Sequence, residues 1–523
     1  MSFFETCKTL ASLALLPFYT TSGPAKTTGR PATIPALKSW NDGSDTYTFN
    51  AHSRIVLQDA QLAETGATFA EDLELLTGLT IPVVKQEGVR AGDVVLALGS
   101  DETELGDQGY RMEISDRVTI SARTDDGVFY GTRTLLQLLT QGSSIRGGVA
   151  RDWPDYPQRG LMVDVGRQYF SVPWLEKHFR DLAYLKYNFF HFHFSDNFGF
   201  RLESERHPEI VSEQHYTKAE IRALIELARK YHITIVPEID VPGHLDAALA
   251  SHPELLLTNS EGKQQTGDLD LANEAAYTFV RDLLEEYIPL FPSPYWHLGA
   301  DEYLLHNGNY EDYPQLEAAA KRRYGPQAIS KDIYLGFVNW AHELVQAHGK
   351  TTRIWNDGMH GGSAVVPATN NVIYEHWVSW GPSPREIVER GIPIVNANLY
   401  YVYYVPGKAI MQAHANALYE TFEPHMFCPE FNISQFNLNQ PESSSTAEQD
   451  FMLPPHHPLN LGAKLHVWCD DPTVETEEQI AEAIEQPLRA LAQKNWGSPK
   501  LVESYEDFKP IIELIGRAPG WNG

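Results

Sequence analysis

Trp296-His-Leu-Gly-Ala-Asp-Glu-Tyr303 runs from a short apolar, strand-like stretch through two small residues into two adjacent acids. Charged side chains are rarely fully buried unless paired, so packing alone would not choose Asp301 and Glu302 at the mouth of a buried strand. This strand is one of a series. Beyond residue 157, apolar runs of the kind a parallel sheet buries on both faces recur at 160–166, 189–195, 233–239, 295–301, 352–356, 372–377, 392–397 and 464–469. Amphipathic helical patterns fall between many of them, over Val172–Tyr187, Lys218–His232, Glu274–Leu290, Lys331–His348 and Pro384–Arg390, with a last one over Thr476–Lys494. Eight strand-helix units over about 340 residues fit an α/β fold of the (β/α)8 or TIM barrel type. An open doubly wound sheet usually has only five or six strands.

A barrel keeps its functional groups at the C-terminal ends of its strands, and polar residues do gather there. The ends read Asp164-Val-Gly-Arg167, His193-Phe-Ser-Asp196, Glu238-Ile-Asp240 followed by Val-Pro-Gly-His244, Asp301-Glu302, Trp355-Asn-Asp357, Glu375-His-Trp377 and Trp468-Cys-Asp470. Taken singly, Arg167 is explained by an ion pair, Asp196 and Asp240 by helix N-caps, and Trp355, Trp377 and Trp468 by core packing. Their coincidence on one rim favours a site. The long insertions 241–272, 303–329 and 399–463 fall on the loops at that rim.

Residues 46–150 have a different rhythm and read as a small α/β domain. Strands are expected at 53–58 and 93–98, a hairpin at 110–122, and helices at 61–77 and 128–139. Residues 20–45, rich in Thr, Pro, Gly and Ser, read as a flexible lead-in. Two prolines mark a junction at 151–157. The expected division is a possible signal peptide and lead-in over 1–45, the small domain over 46–150, the catalytic barrel over 151–497 and a C-terminal extension over 498–523.

A chain of 523 residues exceeds what one hydrophobic core serves. Its net charge of −28 argues against nucleic acid or an anionic membrane as partner. Its 11 Trp and 25 Tyr supply rings for a sugar site as well as for cores. The three cysteines, Cys7, Cys428 and Cys469, define no disulfide framework. Lys8, the apolar stretch Leu10–Tyr19 and the small residues up to Ala25 form a short signal-peptide pattern, and Asn432-Ile-Ser434 is a lone glycosylation sequon. Both point to export, with a cytoplasmic location as the alternative. Nothing else approaches the ~20 apolar residues of a membrane span, so no membrane insertion is expected.

His191 and His193, two apart on one strand, share a face as the zinc ligands of metal-dependent barrel hydrolases do, with His244 and Asp301 as further ligands. Against that reading, Phe190, Phe192 and Phe194 fill the other face, and no third ligand has a confirming local motif.

Five ordered motifs carry a resemblance over about residues 50–490. They are Gly127-Val-Phe-Tyr-Gly-Thr-Arg-Thr-Leu135, Asp164-Val-Gly-Arg-Gln-Tyr-Phe170, His193-Phe-Ser-Asp196, Pro237-Glu-Ile-Asp-Val-Pro-Gly-His244 and His297-Leu-Gly-Ala-Asp-Glu302. In these the chain resembles glycoside hydrolase family 20, the β-N-acetylhexosaminidases. The resemblance implies a (β/α)8 barrel behind a small α/β domain, no cofactor or metal, and an oligosaccharide or glycoconjugate substrate with a β-linked N-acetylhexosamine. It implies a retaining mechanism in which the substrate's 2-acetamido oxygen attacks the anomeric carbon and forms an oxazolinium. Adjacent strand residues project to opposite faces, so Asp301 and Glu302 are not expected to flank a glycosidic bond themselves.

Carried over by position, Glu302 is the general acid and base, and Asp301 orients the acetamide N–H. Tyr401 grips the acetamide oxygen, with Tyr400 and Tyr403 as alternative registers. Trp355, Trp377 and Trp468 wall the pocket, and Arg167 binds ring hydroxyls. Asp196, Asp240 and His244 support the protonation state of Glu302. The chain departs from most relatives at Ala300, at Trp355-Asn-Asp357, at Tyr401-Val-Tyr403 and at Trp468-Cys-Asp470. A lost acid at 403 and a shorter one at 470 leave room for a second sugar. That pattern is similar to the lacto-N-biosidase branch, which releases Gal-β1,3-GlcNAc; release of single GlcNAc or GalNAc is the alternative.

Overall fold

The computed structural model describes residues 29–85, 88–99, 101–304, 309–359, 362–427 and 450–521. Cys7, Cys428, the N-terminal apolar stretch and the Asn432 sequon lie outside them. Eight parallel strands close into a barrel: Gln158–Asp164, Phe189–His193, Thr234–Val241, Tyr295–Gly299, Thr351–Trp355, Val372–His376, Ile394–Asn396 and Asn460–Val467. Each pairs with its neighbour in sequence, and the eighth pairs with both the seventh and the first. All eight lie where the apolar runs place them.

The second strand shows how alternation builds the wall. Phe190 and Phe192 pack on Phe179 of the helix Val172–Tyr184, with ring centroids 4.9 and 6.4 Å apart, while His191 and His193 reach Glu238 inside the barrel. Helix starts follow the capping residues: Ser171, Thr217, Ser383 and Thr476 each accept a backbone N–H from the first turn. The single helix expected over 476–494 is two, Glu477–Ala483 and Glu485–Trp496. Pro487 cannot continue the first helix, but it fits the opening turn of the second, where its missing N–H costs nothing.

Inside the barrel, the layer below the rim is ionic rather than aliphatic. Arg353 Nε donates to Glu375 at 2.6 Å, and Lys464 pairs with Glu375 and donates to His191 Nδ1 at 2.7 Å. Burial lowers Lys464 to about 8. Burial pushes Glu375 the other way, but Lys464 and Arg353 hold it well below the usual carboxylate range.

The small domain is a mixed seven-stranded sheet in the order 39–48, 144–152, 110–114, 118–122, 94–98, 55–57, 83–85, with the helix Asp125–Leu139 between it and the barrel. Asp152 ties the two units, accepting from Lys186 Nζ at 2.7 Å and Trp496 Nε1 at 2.9 Å. The flexible lead-in expected over 20–45 is corrected for residues 29–45. Ile34, Ala36 and Leu37 are fully buried, Ile34 N donates to Gln137 Oε1 at 2.7 Å and Ala36 N to Gln493 Oε1 at 2.8 Å. Ser39–Thr48 is an antiparallel strand against Ser144–Asp152. The C-terminal stretch carries the helix Tyr505–Ile515, and beyond it Arg517 and the Ala518 N–H bind the buried Asp181.

Candidate active site

Asp301 and Glu302 stand just past the fourth barrel strand, where the backbone leaves the extended conformation. Gly299, Ala300 and Glu302 have φ of +70°, +66° and +51°. Non-glycine residues in this region are uncommon and strained, and here specific bonds hold them. Asp240 Oδ1 accepts the Ala300 N–H at 3.1 Å, Asp357 Oδ2 accepts the Glu302 N–H at 2.9 Å, and Tyr334 donates its hydroxyl to the Ala300 carbonyl.

This turn corrects the expectation that the two acids face opposite ways. His244 Nε2 lies 3.6 Å from Asp301 Oδ2 and 3.4 Å from Glu302 Oε2, so both carboxylates converge on one imidazole nitrogen. Strand alternation ends at Gly299 and does not reach them.

Behind the acids runs a chain of alternating charge. Arg167 lies between Asp164 and Asp196, with Nη1 at 2.9 Å and Nη2 at 2.8 Å, and its Nε donates to Asn197 Oδ1 at 3.1 Å. Asp196 also contacts His193 Nε2 at 2.9 Å and His244 Nδ1 at 3.3 Å. His193 Nδ1 reaches Glu238 at 2.7 Å, and Glu238 further meets His191 at 3.0 Å, His297 at 2.9 Å and Trp355 Nε1 at 2.8 Å.

The titration of these groups follows from their partners. Burial raises Asp196, but Arg167 and His244 outweigh it and keep the carboxyl far below its ordinary range. Burial lowers His244 and His193, yet Asp196 and Asp301 lift the first well above neutrality, while Glu238 and Asp196 lift the second to about 10. His191, buried beside Lys464, falls to about 3 and is neutral. Asp301 is raised well above the carboxylate range by burial first and by Asp240 second, and Asp240 is raised by burial as well. A side-chain hydrogen bond links the two carboxyl groups, which share one proton.

Trp355 is buried beneath the site with its indole on Glu238, while Trp468 lies 5.8 Å from Trp355 and carries the Arg167 guanidinium 5.5 Å from its ring. Trp377 donates Nε1 to Asp357 at 3.0 Å. Asp470 is exposed at the mouth, within the field of Arg167. The Tyr401 ring packs on Phe422 at 5.3 Å. Tyr403 lies in the tryptophan cluster, parallel to Trp377 at 6.2 Å and 6.0 Å from Trp468, and Tyr400 packs against the same cluster. The register of a two-residue step in a loop is invisible to pattern reading.

Sequence reasoning also passed over Asp357 and Glu238, although both stand at the strand ends where function was expected. The zinc reading finds no common site for its four ligands among the described residues. His191 and His193 sit around Glu238, His244 and Asp301 around Asp240. Both His193 nitrogens are engaged with carboxylates.

A closed eight-stranded barrel with paired acids on the turn after its fourth strand, backed by a histidine and flanked by tryptophans, has the architecture of a barrel glycosidase. The chain belongs to glycosyl hydrolase family 20: the family's catalytic-domain model matches residues 156–499 and its domain 2 model matches residues 30–153. It is 28% identical over 95% of its length to a lacto-N-biosidase of Bifidobacterium bifidum, covering 42% of that protein. It is 25% identical over 91% of its length to a β-hexosaminidase of Porphyromonas gingivalis, covering 61% of that protein. The chain thus spans about half the length of these two relatives. Among solved structures it resembles the family 20 β-N-acetylhexosaminidase of Streptomyces coelicolor, with TM-score 0.71 and 24% identity over 93% of this chain and 96% of that one.

Proposed function

We propose that the chain is a retaining exo-glycosidase that cleaves β-linked 2-acetamido-2-deoxyhexosides with the substrate's own acetamide as nucleophile, and that the unit it releases is Gal-β1,3-GlcNAc. The observation that carries the mechanism is the meeting of Asp301 and Glu302 on one nitrogen of His244. A retaining pair of carboxylates must attack and protonate from opposite faces of the sugar, about 5–5.5 Å apart. Asp301 and Glu302 reach the same nitrogen from one turn, an arrangement that suits attack on the second face by the substrate's acetamide.

In this reading Glu302 gives its proton to the glycosidic oxygen as the bond to the anomeric carbon breaks, and the acetamide oxygen closes on that carbon from the other side. The acetamide N–H approaches Asp301, and the proton shared with Asp240 passes to Asp240. Asp301 is left as the carboxylate that stabilises the oxazolinium charge. Tyr403, rather than Tyr401, borders the acetamide, and Trp377 and Trp468 flank the sugar. Water then opens the ring, and Glu302 takes its proton. His244, charged and held by Asp196, keeps both acids in place.

Two features support a disaccharide product. The shorter Asp470 stands open at the mouth, and a relative named lacto-N-biosidase aligns over nearly the whole chain. Parallel assays of p-nitrophenyl lacto-N-bioside and p-nitrophenyl N-acetylglucosaminide test the product. Turnover of only the monosaccharide rejects the disaccharide reading. The nucleophile is tested with the corresponding glucosaminide lacking the N-acyl group: equally fast hydrolysis rejects the acetamide mechanism.

A further inference from the structure

Two loops of the catalytic rim repeat one short pattern, His207-Pro-Glu-Ile210 after the second barrel strand and His252-Pro-Glu-Leu255 after the third. Each folds into a single 3-10 turn with its histidine at the N-cap, at φ −132°, ψ 62° and φ −131°, ψ 59°. The two turns meet. Ser251 Oγ donates to the Glu209 carbonyl at 3.0 Å, and His207 Nδ1 and His252 Nε2 stand 3.0 and 2.8 Å from the same oxygen, Glu209 Oε1. The Phe279 ring backs both imidazoles, at 4.9 and 5.2 Å.

Each imidazole has a second carboxylate at its other nitrogen. Glu254 Oε1 is 3.1 Å from His252 Nδ1, and Asp282 Oδ2 is 3.6 Å from His207 Nε2, a buried atom with no hydrogen-bond partner. Asp282 is itself held by Arg206 at 3.0 Å. A carboxylate behind the outer nitrogen is the arrangement that orients metal-bound histidines and makes them better donors. Two imidazole nitrogens and one carboxylate oxygen are also a common zinc donor set, with water in the fourth place. With bonds of about 2.0–2.1 Å, a tetrahedral zinc holds its ligand atoms about 3.3 Å apart; both histidine nitrogens are within a few tenths of an ångström of that spacing from Glu209 Oε1, and the three ligand atoms lie within 4.8 Å of one another.

We propose that His207, Glu209 and His252 bind a zinc-like divalent cation that pins the loop carrying Asp196 to the loop carrying His244. The site is distinct from the catalytic acids and open to solvent on one side, with 42% of the Glu209 side chain exposed.

The test is zinc chloride titrated into the full chain, followed by calorimetry and by thermal unfolding. One zinc binds per chain, and the midpoint rises by about 5 °C at a hundredfold excess over Kd. Cobalt(II) gives the visible absorption of a four-coordinate site. In His252→Gln the amide still donates to Glu209 but the imidazole ligand is gone, and His207→Gln makes the same change at the other turn. Both variants lose the zinc-dependent shift while melting like the parent chain without zinc. The proposal is overturned if no saturable binding occurs. It is equally overturned if both variants bind with unchanged stoichiometry and affinity, which moves the ion to Asp240, His244 and Asp301 or to His191, Glu238 and His297.

Discussion

Gly299→Ala places a methyl group where the turn before the acids has no room. A Cβ at 299 lies 1.7 Å from Asp240 Oδ1 and 2.1 Å from its carboxyl carbon, whereas ordinary contact begins near 3.4 Å. Asp240, 1% exposed, must therefore retreat by more than 1 Å and release the Ala300 N–H it accepts at 3.1 Å. A buried N–H left without a partner costs about 1–3 kcal/mol, and a Cβ in the left-handed region about 1 kcal/mol more. The expected loss is about 2–4 kcal/mol, short of the 5–15 kcal/mol that keeps a domain folded. Displacing the partner of Asp301 by 1 Å lowers kcat/KM about 100-fold. Ala300→Gly is the matched control, because Ala300 already has φ +66° against +70° at 299. It relieves the same strain without touching Asp240, and its stability stays within about 1 kcal/mol of the parent. Urea midpoints and kcat/KM on p-nitrophenyl substrates read both effects. Near-parental activity in Gly299→Ala, or an equal loss in Ala300→Gly, refutes the argument from the Asp240 contact.

Further outcomes follow from the same geometry. Glu302→Gln lowers kcat/KM about 10²–10⁴-fold on an alkyl-linked glycan and less on a p-nitrophenyl glycoside, whose leaving group needs little protonation; equal losses on both contradict the general-acid role. Tyr403→Phe lowers kcat/KM more than Tyr401→Phe does, since Tyr403 stands among the site tryptophans and Tyr401 packs on Phe422; the reverse order restores the first register. His193 is raised from 6.5 to about 10 in the folded chain, so its contribution to stability is complete below pH 6.5 and is lost as pH climbs toward 10. The full contribution is of order 5 kcal/mol. The difference in denaturant stability between the parent chain and His193→Gln should therefore shrink over that window, and a constant difference would show that His193 is not charged.

How much of this was legible from the chain depended on the range of the interaction. Barrel strands are buried on both faces, so their apolar runs stand out without knowledge of their neighbours. The strand Ser39–Thr48 escaped because its residues are mostly polar and exposed, and what fixes it is backbone pairing to Ser144–Asp152 across a hundred positions. Strand-end reading found Asp196, Asp240, His244, Asp301 and Glu302 because a barrel converts a local position into a shared rim. It could not find that Asp301 and Glu302 face the same way, since neither Ala300 nor Glu302 is a residue type that announces a left-handed backbone. That turn is imposed from outside, by Asp240, Tyr334 and Asp357.

The same dependence explains why the site rests on an ionic layer. His193 carries charge because Glu238 lies on one nitrogen and Asp196 on the other, and His191, two residues away, is neutral because it is buried and Lys464 faces it from the eighth strand. Identical residue types on one strand thus take opposite protonation states, set by partners up to 273 positions away. With both nitrogens of His193 committed to carboxylates, its imidazole serves as a charged strut between Glu238 and Asp196. Asp196 in turn holds Arg167 and His244, so the placing of Glu302 runs through His244, Asp196, His193 and Glu238 to the barrel floor.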